Sequence, residues 1–98
     1  MKVIHEAIAG TLESSDLLVK VSPSAEETRE IVIQSAVLKQ FGKQIKHVVE
    51  ETLDRLSVHA GSIVIEDKGA LDCVIRARVQ AAVLRGCSTQ EMQWETLV

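Results

Sequence analysis

Ser35-Ala36-Val37-Leu38-Lys39-Gln40-Phe41-Gly42-Lys43-Gln44-Ile45-Lys46-His47-Val48-Val49-Glu50-Glu51-Thr52-Leu53-Asp54-Arg55-Leu56 is the stretch whose reading decides the fold. Leu38, Phe41, Ile45, Val48, Val49, Thr52, Leu53 and Leu56 recur at three- and four-residue spacings and make one apolar stripe, while Lys39, Lys43, His47, Glu50 and Asp54 fall opposite. The spacing predicts a helix from about Ser35 to Leu56, with Ser35 as its N-cap and Lys46–Glu50 and His47–Glu51 as surface pairs. Gly42 in its interior costs up to about 1 kcal/mol against Ala and suits the close approach of another backbone. The charged face reads as solvated surface, or as a docking face for a larger subunit.

On either side the period changes to two. Arg29-Glu30-Ile31-Val32-Ile33-Gln34 precedes the helix as a strand with Ile31 and Ile33 on one face, and Ser62-Ile63-Val64-Ile65-Glu66 follows it with β-branched residues suited to an interior position. Strand, helix and strand in succession favour a right-handed crossover with the two strands parallel. Further out, Ala7-Ile8-Ala9 and Leu17-Leu18-Val19-Lys20-Val21 read as two more strands, and Ser22 to Glu27, with Pro23, breaks the pattern as a loop. The first three strands are expected to form an antiparallel meander. Asp67 is expected to cap a second helix, with Gly69 in its first turn, running to about Arg85 before Gly86 stops it. The fold class is therefore α+β: a two-layer sandwich of a four-stranded mixed sheet with two helices packed on one face, in the order β-β-β-α-β-α. Residues 1–86 make a single domain and residues 87–98 a C-terminal tail, whose Met92, Trp94 and Leu97 pack on the domain or dock on another subunit.

Ninety-eight residues suffice for one modest core, burying roughly 65% of the unfolded surface. Phe41 and Trp94 are the only aromatic residues, and the net charge is −3, which argues against stacking on bases and against non-specific nucleic-acid binding. Cys73 and Cys87 are too few for a disulfide framework, and His5, His47 and His59 show no spacing that places two on one helical face, so no metal is expected. No apolar run approaches the roughly 20 residues of a membrane span, and Met1 to Glu6 lacks the apolar segment of a secretory signal, so a cytoplasmic location is expected.

Between the first two strands lies Gly10-Thr11-Leu12-Glu13-Ser14-Ser15-Asp16, with hydroxyls and carboxylates at a hairpin connection. Ser and Asp suit such turns because their side chains bond nearby amides, so local chemistry alone needs no function here. Arg78 is the anomaly of the second helix. At about 100° per residue it projects within the arc of Leu71, Val74, Ile75 and Ala82, where a charge is not buried unpaired. Its stem covers apolar surface and reaches water, or its guanidinium pairs with Glu13, with Asp16 or with a bound phosphate. Arg76 lies on another face and is expected to meet solvent or a partner.

Ala9-Gly10-Thr11-Leu12-Glu13-Ser14 with Asp16, Lys39-Gln40-Phe41-Gly42, and Asp67-Lys68-Gly69-Ala70-Leu71-Asp72-Cys73 continuing to Arg76-Ala77-Arg78 resemble, in register, the motifs of the citrate lyase acyl carrier protein, the gamma subunit of that complex. The resemblance implies that Ser14 carries covalently bound 2'-(5''-phosphoribosyl)-3'-dephospho-CoA through a phosphodiester. Ser15 stands where the family pattern has Gly, and it offers a second hydroxyl. The resemblance further implies an acetyl thioester on the arm's thiol, a transferase (alpha) subunit that exchanges acetyl for citryl, a lyase (beta) subunit that releases oxaloacetate, and a prosthetic-group transferase, the holo-carrier synthase, that loads the arm.

A carrier needs an exposed hydroxyl on an uncrowded loop and no catalytic dyad, and no His with an acid is placed to make Ser14 a nucleophile. No catalytic residue is expected; Glu13, Asp16 and Arg78 are expected to support the turn or to guide docking on basic surfaces. Two alternatives stand beside this. The acyl carrier subunit of malonate decarboxylase resembles the chain around a Ser-Gly-Asp turn, and an unmodified scaffold would join larger subunits with no arm at all.

Overall fold

The computed structural model describes residues 2–35 and 38–87. Among them the chain forms β1 (Ala7–Gly10), β2 (Leu17–Ser22), β3 (Arg29–Ser35), α1 (Leu38–Arg55), β4 (Gly61–Asp67) and α2 (Asp72–Gly86). This is the expected order and class. The tail with Met92, Trp94 and Leu97 lies outside the described residues.

The four strands make one sheet in the order β1-β2-β4-β3. β1 pairs antiparallel with β2, β2 antiparallel with β4, and β3 parallel with β4. The meander is thus corrected: β3 does not pair with β2, because β4 is inserted between them. The physical reason is burial. Ile63 and Ile65 are wholly shut off from solvent, and the position between β2 and β3 gives them Val21 and Val19 on one side and Ile31 and Ile33 on the other. The crossover through α1 delivers β4 there, parallel to β3 as expected.

Side chains alternate across this sheet. Ala9, Leu17, Val19, Val21, Ile63 and Ile65 point into the helix layer, where Val48, Val49 and Leu53 of α1 and Ile75, Val79, Ala82 and Val83 of α2 complete the aliphatic core. α2 lies over β1 and β2, α1 lies against β3, and the helices pack on each other. Arg85 donates to the Ile8 carbonyl at 2.7 Å, and the amides of Ile4 and His5 donate to the Gly86 carbonyl, tying the amino-terminal segment to the end of α2.

Several local expectations change. Ser35 ends β3 and gives its hydroxyl to Asp67 at 2.9 Å, so it does not open α1. Asp67 is the last residue of β4, 2% exposed, and accepts from the amides of Gly69 (3.1 Å) and Ala70 (2.9 Å); it caps a turn, not α2. Helix α2 starts four residues later than an Asp67 cap implies, with Leu71 at the cap position and no side-chain cap. Phe41, assigned to the buried stripe, is 51% exposed, one turn into α1, where it lines an open groove with Leu71 instead of the core. Gly86 is the final helical residue, where a Cβ would come within 2.9 Å of Val21.

At the other end of α1, the Val58 amide reaches the Leu53 carbonyl and the Ser57 amide the Asp54 carbonyl, with Ser57 at φ 57. This double closure satisfies the last carbonyls and folds Val58 onto Leu53, both fully buried. The surface pairs of α1 are present: Lys46–Glu50 at 3.9 Å and His47–Glu51 at 3.5 Å.

Candidate functional site

Glu13, Ser14, Ser15 and Asp16 form a tight turn closed by the Asp16 amide donating to the Glu13 carbonyl at 3.2 Å. Ser15, third of the four, has φ 65, the left-handed conformation that this turn position needs and that glycine adopts most easily. Hence a Gly at this position suits the turn, and Ser15 holds the same conformation with a side chain attached. Ser14 sits one residue earlier at the tip, exposed to solvent.

The turn is pinned from two directions. The Ser15 amide donates to the Lys68 carbonyl and the Lys68 amide to the Asp16 carbonyl, both at 2.9 Å, which extends the β2–β4 ladder past Asp67. From the side, four donors converge on the Asp16 carboxylate. Oδ2 accepts from the Thr11 hydroxyl at 2.6 Å and from Arg78 Nη2 at 2.9 Å, and Oδ1 accepts from the Leu17 amide at 2.8 Å and from Arg78 Nε at 3.1 Å. A carboxylate has about four acceptor positions, so this one is saturated. The Thr11 hydroxyl first, then Arg78 and the Leu17 amide, hold the Asp16 carboxyl down to about 2.

Gly10 makes the arrangement sterically possible. Its φ is +98, and a Cβ there would lie 1.9 Å from the Leu17 carbonyl oxygen and 3.3 Å from Cδ of Arg78. The missing side chain lets the ladder close and lets the arginine stem pass over the strand end to Asp16.

Beside this turn is a groove of 820 Å³ between the start of α1 and the Asp67–Ala70 turn. Among the described residues no three His, Cys, Asp or Glu side chains converge as metal ligands. Among the same residues no helix is long and apolar enough to cross a membrane.

A family model described as malonate decarboxylase delta subunit (MdcD), an acyl carrier protein family, matches residues 4–86. The citrate lyase acyl carrier protein of Cronobacter sakazakii is 61% identical over 97 residues, spanning 99% of both chains, and that of Pectobacterium carotovorum is 62% identical over 99% of this chain and all of the relative. This chain belongs to the citrate lyase acyl carrier protein family. Among solved structures, a chain of a Pseudomonas malonate decarboxylase hetero-tetramer in complex with malonate superposes with a TM-score of 0.75 at 26% identity, covering 85% of this chain and 84% of that one. A citrate lyase acyl carrier protein is a carrier subunit of an enzyme complex.

Of the residues singled out in the sequence, the structure brings Asp16 and Arg78 together and leaves Glu13 aside. Glu13 takes part through its backbone, and its carboxylate enters no ion pair among the described residues. Arg76 stands 4.0 Å from Glu51, and its Nε is enclosed without a hydrogen-bond partner among the described residues. Sequence reasoning passed over Thr11 and the steric demand on Gly10. Thr11 left a signal: a hydroxyl two residues before an amide it receives, here that of Glu13 at 3.2 Å, is the pattern of a Ser/Thr turn.

Proposed function

We propose that this chain is the acyl carrier subunit of citrate lyase, and that Ser14 holds the phosphoribosyl-dephospho-CoA arm through a phosphodiester. The observation that carries the reading is the exposed Ser14 hydroxyl at the tip of a turn whose flanking residues are fixed by Lys68, Asp16 and Arg78. Such a hydroxyl fits the group: it is accessible to a loading enzyme, and its backbone is held at both sides, so one surface is presented to each partner. Ser15 is exposed as well, so its hydroxyl is the competing anchor that a Ser14→Ala and Ser15→Ala pair separates.

When bound, the arm supplies a terminal thiol that holds an acetyl or citryl group as a thioester. The residues of this chain position and present. Thr11, Arg78 and Leu17 consume the acceptor capacity of Asp16, which therefore orients the turn and takes no proton in the reaction. Activating the Ser14 hydroxyl is the work of the holo-carrier synthase, and bond cleavage that of the alpha and beta subunits, in the cytoplasm. Tethering raises the effective concentration of the acyl group to the order of millimolar at each site that the arm can reach. Glu13, exposed beside Ser14, offers negative charge to basic docking surfaces.

Malonate decarboxylase is the second reading, favoured by the family model's description and by the Pseudomonas chain of the same fold. The 61% identity to a citrate lyase carrier along the whole chain, against 26% to the Pseudomonas chain, favours citrate lyase. Intact-mass measurement on protein from its native host tests the reading. The mass should exceed that of the bare chain by one dephospho-coenzyme arm, with citrate-dependent acyl loading; Ser14→Ala should fold and stay at the bare mass. A bare wild-type chain would leave only the scaffold, and loading by malonate alone would select the decarboxylase.

A further inference from the structure

The groove beside the Ser14 turn is unexplained by attachment alone. Phe41, Ile45, Ala70, Leu71, Ile75 and Arg76 line it, with Leu71 70% exposed and Phe41 51% exposed. Two large apolar side chains left open to water at the mouth of one groove form a surface that gains from being covered. The groove also holds polar groups. Leu71 gives α2 no side-chain cap; its carbonyl accepts from the Val74 and Ile75 amides at 2.9 and 3.0 Å, and the Asp72 and Cys73 amides open the helix at the groove. Gln44 of α1 donates to the Asp72 carboxylate of α2 at 3.0 Å, joining the two helices that border the groove.

We propose that this groove is the resting site of the arm carried by Ser14, taking its pantetheine segment with the acyl thioester at the far end. The inference rests on the attachment proposed above. Continuity supports it: Ser15 is hydrogen-bonded to Lys68, and Gly69, the next residue, belongs to the groove wall. Two peptide steps of about 3.8 Å and one cross-strand step of about 5.5 Å keep Ser14 within roughly 15 Å of that wall. The chemistry also matches. A pantetheine chain alternates apolar stretches, suited to Phe41 and Leu71, with amide carbonyls, suited to the Asp72 and Cys73 amides at the start of α2. Resting there would keep a thioester away from bulk water between encounters, and docking would draw the arm out.

The test compares amide NMR spectra of the apo and holo chains, each checked first by intact mass. Loading should shift the amides of residues 13–16 and also those of residues 41–45 and 69–76. Leu71→Asp, on an exposed side chain, should retain the fold, and its loaded form should lose the second set of shifts while retaining the first. Shifts confined to residues 13–16 in a chain of the correct loaded mass would overturn the resting site and leave the attachment standing. A missing adduct would instead overturn the attachment. Groove shifts that grow with concentration in the apo chain, with no further change on loading, would give the groove to a second copy and overturn the proposal.

Discussion

Two turns meet at one end of the sheet, and an aspartate holds each of them differently. Asp16 is tied by a guanidinium, a hydroxyl and one amide at a surface open to water, and the turn it holds presents Ser14. Asp67 is 2% exposed and tied by two amides and a hydroxyl, with no cation paired to it among the described residues, and the turn it holds presents Leu71. The first is an adjustable fastening that protons and ions reach; the second is built into the core. Damage to the first should therefore be read in titration and presentation, and damage to the second in global stability.

Gly10→Ala should break the arrangement most severely. A methyl group 1.9 Å from the Leu17 carbonyl oxygen forces the ladder apart just where the Ser14 loop begins, at a cost of about 3–4 kcal/mol. Urea unfolding measures it, and a loss below about 1 kcal/mol would show that the strand end yields freely. Next comes Asp67→Ala, which leaves the Gly69 and Ala70 amides without their acceptor and should cost about 2–3 kcal/mol by the same measurement. Asp67→Asn keeps one acceptor oxygen and should cost less.

Asp16 should show its effect through pH. Its folded carboxyl lies at about 2, below the ordinary 3.8, so its contribution to stability is complete above 3.8 and is lost as the pH falls toward about 2. Thr11→Val removes the largest cause, and NMR titration of the Asp16 carboxyl should then give a midpoint displaced upward toward 3.8. An unmoved midpoint would transfer the credit to Arg78. The smallest effect belongs to Ser15→Gly, which relieves a side chain at φ 65 and should raise stability by about 1 kcal/mol. A decrease would mean that the Ser15 side chain contributes more than its backbone strain takes away.

How far the sequence discloses this depends on whether the deciding force is local. The α1 stripe from Ile45 to Leu56, the alternation in β2 and β4 and the parallel crossover follow from side-chain periods, and these are present. Strand order does not: a meander and an inserted β4 share the same local pattern, and only the burial of Ile63 and Ile65 between two strands separates them. Asp67 followed by Lys-Gly-Ala reads like a helix start, yet Gly69 at φ +89 closes a turn first. Arg78 is visible as a charge on an apolar arc; that its partner is Asp16 and not Glu13 depends on Thr11 and Leu17 completing the same shell. The Leu71 and Phe41 groove has no periodic signature, since both residues fall at positions that a helix stripe would bury.

The central claim is that the Ser14 oxygen is the covalent anchor. Trypsin should release residues 3–20 of chain from the native host as one peptide, and fragmentation of that peptide should place the whole dephospho-coenzyme mass on Ser14, with Ser15 bare. The mass on Ser15, or a peptide without any adduct from cells actively cleaving citrate, would contradict the account.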